Sequence, residues 1–467
     1  MLTIKIPPLY MNEHRYIIDV IFGEFLGLAV DVEVEDREDV LITAGDERQL
    51  YLCDVFFAMP QARWLREASL PALPLAEFDV HTLPFPVKTV HEKVPIIYGQ
   101  QMDNSRYVKY TEDQIELGVD ILGSSFFMLT RYEECVKKAQ DAYQRFPATA
   151  SLSYTAGFID RPIVNEYVEI LWGCLCYLWP GLVRRRRRFR IQPTHDVDDP
   201  FFYRNMNLYR LARHLAGKAW REGKYTELWS IFRRWLHVQR GDLSYDPFNT
   251  FELIMDISEL MGVESTFFFM TDHLDEKFDG DYRITDPAVR TYLGKIKRRG
   301  HKVGLHCSYS SYLSPDQVKK EYALLRQVCA QEGITQELWG SRQHFLRWET
   351  PTTFRILADV GVDYDTTLTF ADHAGFRCGV CYEYPVYDLA AGQPLKLRER
   401  PLIVMECTVI DGHYMGLGAG DAALEYITML KDHCKLFEGE FVLLWHNTRL
   451  IDPAELWLYK SIMTNSL

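Results

Sequence analysis

Six consecutive residues, Thr194-His195-Asp196-Val197-Asp198-Asp199, put three carboxylates where a hydrophobic, strand-like run gives way to Asp and Pro200. Side chains alternate along an extended segment, so Asp196 and Asp198 share a face. Two carboxylates on one face repel unless a cation shares them. A divalent metal does this and leaves the other acid free as a base. The plainer alternative is an Asx turn that caps the next helix.

Five more residues with chemical potential follow strand-like segments: His306, Arg342 with His344, Asp365 and His446. Taken singly, each has an ordinary explanation as a core histidine, an ion pair or a cap. Their joint occurrence at strand ends points to one site.

The elements that would position them alternate from residue 189 onward. Strand candidates lie at 189–193, 265–270, 302–305, 338–341, 362–364, 402–406 and 441–445, with helical stretches such as 288–299, 316–332 and 422–434 between them. This rhythm predicts an α/β fold, a distorted (β/α) barrel of about seven strands over 189–467. Chemistry in that architecture sits just after the strands. Residues 1–188 have a different rhythm, with strand candidates at 17–21, 40–42 and 50–56 and helices at 120–131 and 161–178, which predicts a smaller α/β domain ahead of the barrel. Five arginines at 184–188 mark the boundary. A helical insertion at about 201–246 carries nine Lys or Arg against four Asp or Glu, with Trp220, Trp229 and Trp235 interleaved. It reads as a lid over an anionic or lipid-linked substrate, or as a hairpin packing its tryptophans on the barrel.

Composition sets outer limits. The 467 residues are 47% hydrophobic and 25% charged, as in a globular protein, and the net charge of -13 argues against general nucleic-acid binding. Ten scattered cysteines include one Cys378-Gly379-Val380-Cys381 without a second pair, which suits free thiols in a reducing compartment better than a zinc knuckle. Residues 1–8 show no secretory signal, so a cytoplasmic location is expected. The apolar run 170–183 before the arginines contains Pro180 and is shorter than the roughly 20 residues a span needs. No transmembrane segment is expected; the run reads as a buried helix, with peripheral membrane contact through an interfacial helix as the alternative.

These motifs, in this order, resemble those of the polysaccharide deacetylase superfamily, carbohydrate esterase family 4, across about 189–467. Thr194 to Asp198 resembles its first motif, and Gly304-Leu305-His306-Cys307-Ser308-Tyr309-Ser310 its second. Ser341-Arg342-Gln343-His344-Phe345-Leu346-Arg347, Val362-Asp363-Tyr364-Asp365 and Leu444-Trp445-His446 resemble the third, fourth and fifth. The stretches 120–134 and 160–166 resemble an uncharacterised domain found ahead of such barrels. The resemblance implies Asp196 as catalytic base, Asp198 and His306 as metal ligands, Arg342 as the holder of the base and His446 as general acid, with Asp365 orienting His446.

Two departures bear on the metal. Ser310 stands where the family has a second histidine, and Arg-Gln-His replaces the usual Arg-Pro-Pro of the third motif. Alternation puts His344 on the face of Arg342, making it a candidate third ligand. His195 is a weaker candidate because it should point away from Asp196, and loss of the metal is the remaining alternative. The implied cofactor is a divalent metal, zinc first. The implied activity is removal of an acetyl group from an N-acetylated carbohydrate, a polysaccharide or a precursor of surface polysaccharide. A metal-free amidohydrolase on the same barrel and an inactive glycan-binding or scaffold protein are the alternatives. Joint retention of Asp196, Arg342 and His446 favours an enzyme.

Overall fold

The computed structural model describes residues 1–102, 106–220 and 225–464. The first part of the chain forms a six-stranded mixed sheet from β1 (Leu2–Ile6), β2 (Val30–Val34), β3 (Asp39–Thr43), β4 (Gln49–Cys53), β7 (Val108–Tyr110) and β8 (Gln114–Leu117), in the order β2-β1-β3-β4-β8-β7. A separate hairpin pairs β5 (Ala76–Asp79) with β6 (Lys93–Ile96). The strand pair expected near 40–42 and 50–56 is β3 with β4, antiparallel.

The strand expected at 17–21 is helical. Helix Met11–Ile18 runs into a wider π-type stretch, Asp19–Leu26, and Ile17, Val20, Ile21, Phe22 and Phe25 are all buried. The exposed stripe of this helix, Arg15, Asp19 and Gly23, puts only one polar residue into 17–21, so the segment reads as an apolar run, just as a buried strand does. The helix expected at 120–131 is Ile121–Leu129, capped by Asp120, whose Oδ1 accepts from the Gly123 N–H at 2.8 Å. The apolar run at 170–183 starts inside the helix Ile163–Leu178, and no helix of the described residues is long and apolar enough to cross a membrane.

The second sheet carries the site. Its nine strands are β9 (Arg190–Val197), β10 (Thr266–Phe269), β11 (Lys302–Cys307), β12 (Gly340–Gln343), β13 (Tyr364–Asp365), β14 (Tyr384–Asp388), β15 (Gln393–Glu399), β16 (Val404–Met405) and β17 (Glu440–Leu444). Their order is β14-β15-β13-β12-β11-β10-β9-β17-β16, and every neighbouring pair is parallel except β14 with β15. The sheet curls into a half-barrel whose two edge strands, β14 and β16, do not pair with each other. The expectation of about seven strands missed the hairpin β14–β15, in which Pro385 and Pro394 interrupt the strand pattern. β10, Thr266-Phe267-Phe268-Phe269, is buried throughout, the continuous apolar signature of a parallel strand covered on both faces.

Among the described residues the insertion forms two α-helices, Leu208–Trp220 and Leu228–Gln239, around a small core of Tyr203, Leu211, Ile231, Trp235 and Val238. Of its three tryptophans only Trp235 is buried.

One contiguous apolar core runs from Leu2 to Met463, so the first sheet and the half-barrel share their interior. A buried ionic knot joins them as well. Glu134 accepts from Arg377 Nη2 at 2.6 Å and Nε at 2.9 Å and from Arg131 Nε at 2.8 Å, and Arg131 also donates to the Arg377 carbonyl. Burial alone would raise the Glu134 carboxyl, but Arg377 and Arg131 hold it below its ordinary value of 4.5. Its contribution to stability is therefore present above that value and is lost as the pH falls through the folded-state value. Glu134→Ala leaves two buried guanidinium groups without their shared carboxylate. Urea unfolding should show a loss of about 3–5 kcal/mol, whereas Arg290→Ala, which breaks the partly exposed pair with Glu332, should cost no more than about 1 kcal/mol.

Candidate functional site

β9 extends through Asp196 to Val197, so the first two carboxylates leave the strand on one face as alternation predicts. Asp196 is buried, while Asp198, one residue beyond the strand, is partly exposed. His306 comes from β11, Arg342 from β12, His344 from the turn after β12, and His446 from just beyond β17. Asp196, Asp198, His306, His344 and His446 line one cavity of about 160 Å³ at the C-terminal edge of the sheet.

Arg342 is wholly buried and anchors the arrangement. Its Nη1 donates to Asp196 Oδ1 at 3.1 Å and to Thr194 Oγ1 at 2.9 Å, and its Nε donates to the Thr366 carbonyl at 2.9 Å. Its own carbonyl lies 3.0 Å from His306 Nδ1. A carbonyl oxygen only accepts, so His306 carries a proton on Nδ1 and turns Nε2 to the cavity; burial would lower the imidazole, but Asp196 and Asp198 raise it above its ordinary value.

His344 follows the same logic. Its Nδ1 lies 3.1 Å from Asp279 Oδ1, and Asp279 stays ionised despite burial because His344 and the Tyr309 and Asp275 N–H groups hold its carboxyl below the usual range. Gly280 lets the loop that carries Asp279 lie against the end of β9: a Cβ there would sit 1.7 Å from the Asp198 carbonyl oxygen.

Asp198 Oδ1 lies 3.2 Å from His306 Nε2 and 3.7 Å from His344 Nε2. Asp198 Oδ1 and His306 Nε2 are buried, yet neither completes a hydrogen bond. Two imidazole nitrogens and a carboxylate oxygen thus converge on one point. Ligands about 2.0–2.1 Å from a tetrahedral ion lie roughly 3.3–3.4 Å apart, and the Nδ1 of each histidine has the acceptor that orients such a ligand. The donor set fits a zinc-like divalent ion. Burial would raise the Asp198 carboxyl, but His344, His306 and His446 hold it far below the usual range.

His446 presents Nε2 3.6 Å from Asp198 Oδ2, and its Nδ1 is 2.5 Å from Glu406 Oε1. Burial alone would lower the imidazole, but the Glu406 carboxylate outweighs it and the pKa rises to about 10. Glu406, Cys407 and His446 form a second cluster of potential ligands. Burial and the neighbouring Glu406 push the Cys407 thiol well above its ordinary value, which leaves it a poor ligand.

Asp365 does not orient His446. Its oxygens accept from Ser341 Oγ at 2.7 Å and the Thr367 N–H at 3.2 Å, and burial raises its carboxyl to about 6. β13 lies five strands away from β17 in the sheet, and Glu406 takes the expected place beside His446. His195 points away from the site, with Nδ1 on the Trp445 carbonyl at 2.7 Å and Nε2 on Ser265 Oγ at 3.2 Å. Ser310 is exposed and is not part of the ligand cluster.

The sequence reading missed Glu406, Asp279 and Arg145. Glu406 had a visible signal, as the last residue of the strand candidate 402–406. Arg145 had none, because it comes from the first part of the chain and reaches the cavity across the fold. Its Nε donates to Asp141 Oδ2 at 2.7 Å and its Nη1 to the Phe345 carbonyl at 3.2 Å. In return Arg347 Nε donates to the Tyr143 carbonyl at 3.1 Å and its Nη2 to Gln144. The two arginines clamp a turn in which Phe345 (φ 59°) and Leu346 (φ 57°) take left-handed backbone angles directly after His344. Phe345, Leu346, Met405, Cys407 and Tyr414 supply the rest of the wall.

Site and sheet together describe a half-barrel with a carboxylate–imidazole cluster at the C-terminal ends of its strands. A model described as a family of unknown function, DUF7033, matches residues 2–180. No curated protein matches the chain. Among solved structures, a "putative polysaccharide deacetylase from Mycobacterium smegmatis" is 17% identical over 60% of this chain and 84% of its own, with a TM-score of 0.37. A "Puue Allantoinase" is 12% identical, covering 62% of this chain and 86% of its own, TM-score 0.37. A "probable Polysaccharide deacetylase from Pseudomonas aeruginosa PAO1" is 12% identical, with 62% and 86% covered and a TM-score of 0.36.

The clamp gives a test of how the first part of the chain supports the site. In Arg347→Ala, amide hydrogen exchange at 345–348 should quicken by about tenfold or more, since each tenfold corresponds to about 1.4 kcal/mol of local opening. Exchange there should not change in Arg290→Ala.

Proposed function

We propose that the chain is a metal-dependent hydrolase that removes an acetyl group from an N-acetylated carbohydrate. The observation that carries this reading is the convergence of Asp198 Oδ1, His306 Nε2 and His344 Nε2 beside an arginine-held aspartate and a glutamate-held histidine. Asp198, His306 and His344 would hold the ion, with His344 in place of the histidine that Ser310 lacks. A bound divalent ion supplies Lewis-acid polarisation of the acyl oxygen and a lowered pKa for water.

The chain's own residues account for the proton transfers. Arg342 occupies Asp196 Oδ1 and aims the carboxylate, and Asp196 Oδ2 is left to take the proton of the attacking water. Glu406 accepts from His446 Nδ1 and its charge favours the imidazolium, so Nε2 carries a second proton, which His446 delivers to the departing amine nitrogen. The cavity of about 160 Å³ is smaller than the roughly 300–1,000 Å³ of pockets for drug-sized ligands. This favours an acetyl group with its own sugar ring over several rings buried together, and Leu346 and Met405 give the methyl an apolar wall.

Acetate release from N-acetylglucosamine and its short oligomers, assayed with metal content, separates the roles. Asp196→Asn should keep the metal and lose about 10²–10⁴-fold in kcat. His344→Ala and Asp198→Asn should lose the metal itself. Equal metal content in these variants and the parent would refute the ligand assignment, and activity that survives chelation would favour a metal-free amidohydrolase. Glu406→Gln should keep the metal while kcat falls by about 10–100-fold, the usual scale for an orienting partner.

A further inference from the structure

The helical insertion is the one motif that the chemistry does not use. Its two helices turn Leu211, Ile231, Trp235 and Val238 inward onto their own small core. Their outer face is unusual. Tyr209, Arg213, Ala216 and Trp220 recur at helical spacing along the first helix, and Trp229 and Arg233 do so on the second. Trp220 is 89% exposed and Trp229 68%, with Leu208, Tyr209 and Tyr225 also open to solvent. Arg213 and Arg233 are exposed among them. Large exposed aromatics on a solvated helical face mark an interaction surface rather than a solvent surface.

From this juxtaposition we propose that the outer face of the hairpin docks on an anionic lipid bilayer. Charge argues for the partner: the insertion is strongly basic within a chain of net charge -13, so the attraction is local and turned outward. Shape and residue type argue the same way. Tryptophan and tyrosine favour the headgroup boundary, where the ring is buried and the polar edge stays wet, and leucine gains from the acyl side. Single-stranded nucleic acid also stacks on aromatics beside cations, but it binds in a groove and offers nothing to Leu208.

The placement suits the chemistry. The hairpin leaves the sheet a few residues after Asp198, and its base is tied to the site. Asp246 accepts from the Phe202 and Tyr203 N–H groups at 2.8 Å each, and Asn447, next to His446, donates to the Asp199 and Phe248 carbonyls at 3.0 and 2.9 Å. The base of the hairpin therefore lies at the edge of the sheet that carries the cavity. The corresponding substrate is an acetylated sugar carried on a lipid. That last step rests on the proposed hydrolase reading; the docking does not.

Co-sedimentation of the full chain with vesicles of phosphatidylcholine alone, or mixed in equal parts with phosphatidylglycerol, is the test. The chain should bind the anionic vesicles, with a blue shift in tryptophan emission, and release as salt is raised. Trp220→Ala with Trp229→Ala, and separately Arg213→Glu with Arg233→Glu, should each weaken binding about tenfold or more without changing the circular dichroism. Absence of binding, equal binding to neutral vesicles, or variants that bind like the parent would overturn the proposal. So would a dimer that the tryptophan variants dissolve, or tighter binding to a single-stranded oligonucleotide than to the vesicles. Loss of hydrolase activity alone, with vesicle binding intact, would count against the proposed function and not against the docking.

Discussion

The arrangement at the sheet edge depends on the burial of Arg342. A guanidinium cannot shed its charge, so burying it inside the half-barrel demands a counter-charge, and Asp196 supplies it at 3.1 Å. The same residue's carbonyl fixes the tautomer of His306. One residue on β12 therefore holds the proposed base, Asp196, with its side chain and aims the proposed ligand, His306, with its backbone. The strand register makes this possible, since His306 lies opposite Arg342 in the β11–β12 pair.

A second layer sets the two remaining imidazoles. Asp279 does for His344 what the Arg342 carbonyl does for His306, and Glu406 does it for His446. The Arg342 carbonyl and Asp279 hold the Nδ1 atoms of His306 and His344 and turn their Nε2 atoms toward Asp198. The short contact with buried Glu406 favours the imidazolium, fit to give up a proton. The first part of the chain adds the crossed arginine clamp, which holds a left-handed turn that no local preference of Phe345 or Leu346 would select.

Much of this was legible in the sequence, for identifiable reasons. Parallel strands buried on both faces leave continuous apolar runs, and their ends expose the polar residues that follow, so Asp196, Asp198, His306, Arg342, His344 and His446 could be picked out together. Alternation placed His344 with Arg342 and turned His195 away, and the structure has both. What failed was non-local or ambiguous. Asp365 was paired with His446 without a geometric reason, and the sheet order separates them. Asp279 lies in an aperiodic loop, and Arg145 acts on a turn 200 residues away, so neither leaves a local signal. The run at 17–21 is apolar enough for strand or helix, and only tertiary cover decides between them.

The central claim is that Asp198, His306 and His344 form a cation site. Anomalous diffraction at the zinc edge, from crystals of the full chain grown with zinc, tests it most directly. The account predicts one peak about 2.0–2.2 Å from Asp198 Oδ1, His306 Nε2 and His344 Nε2. No peak there, or a peak seated instead among Glu406, Cys407 and His446, would contradict it.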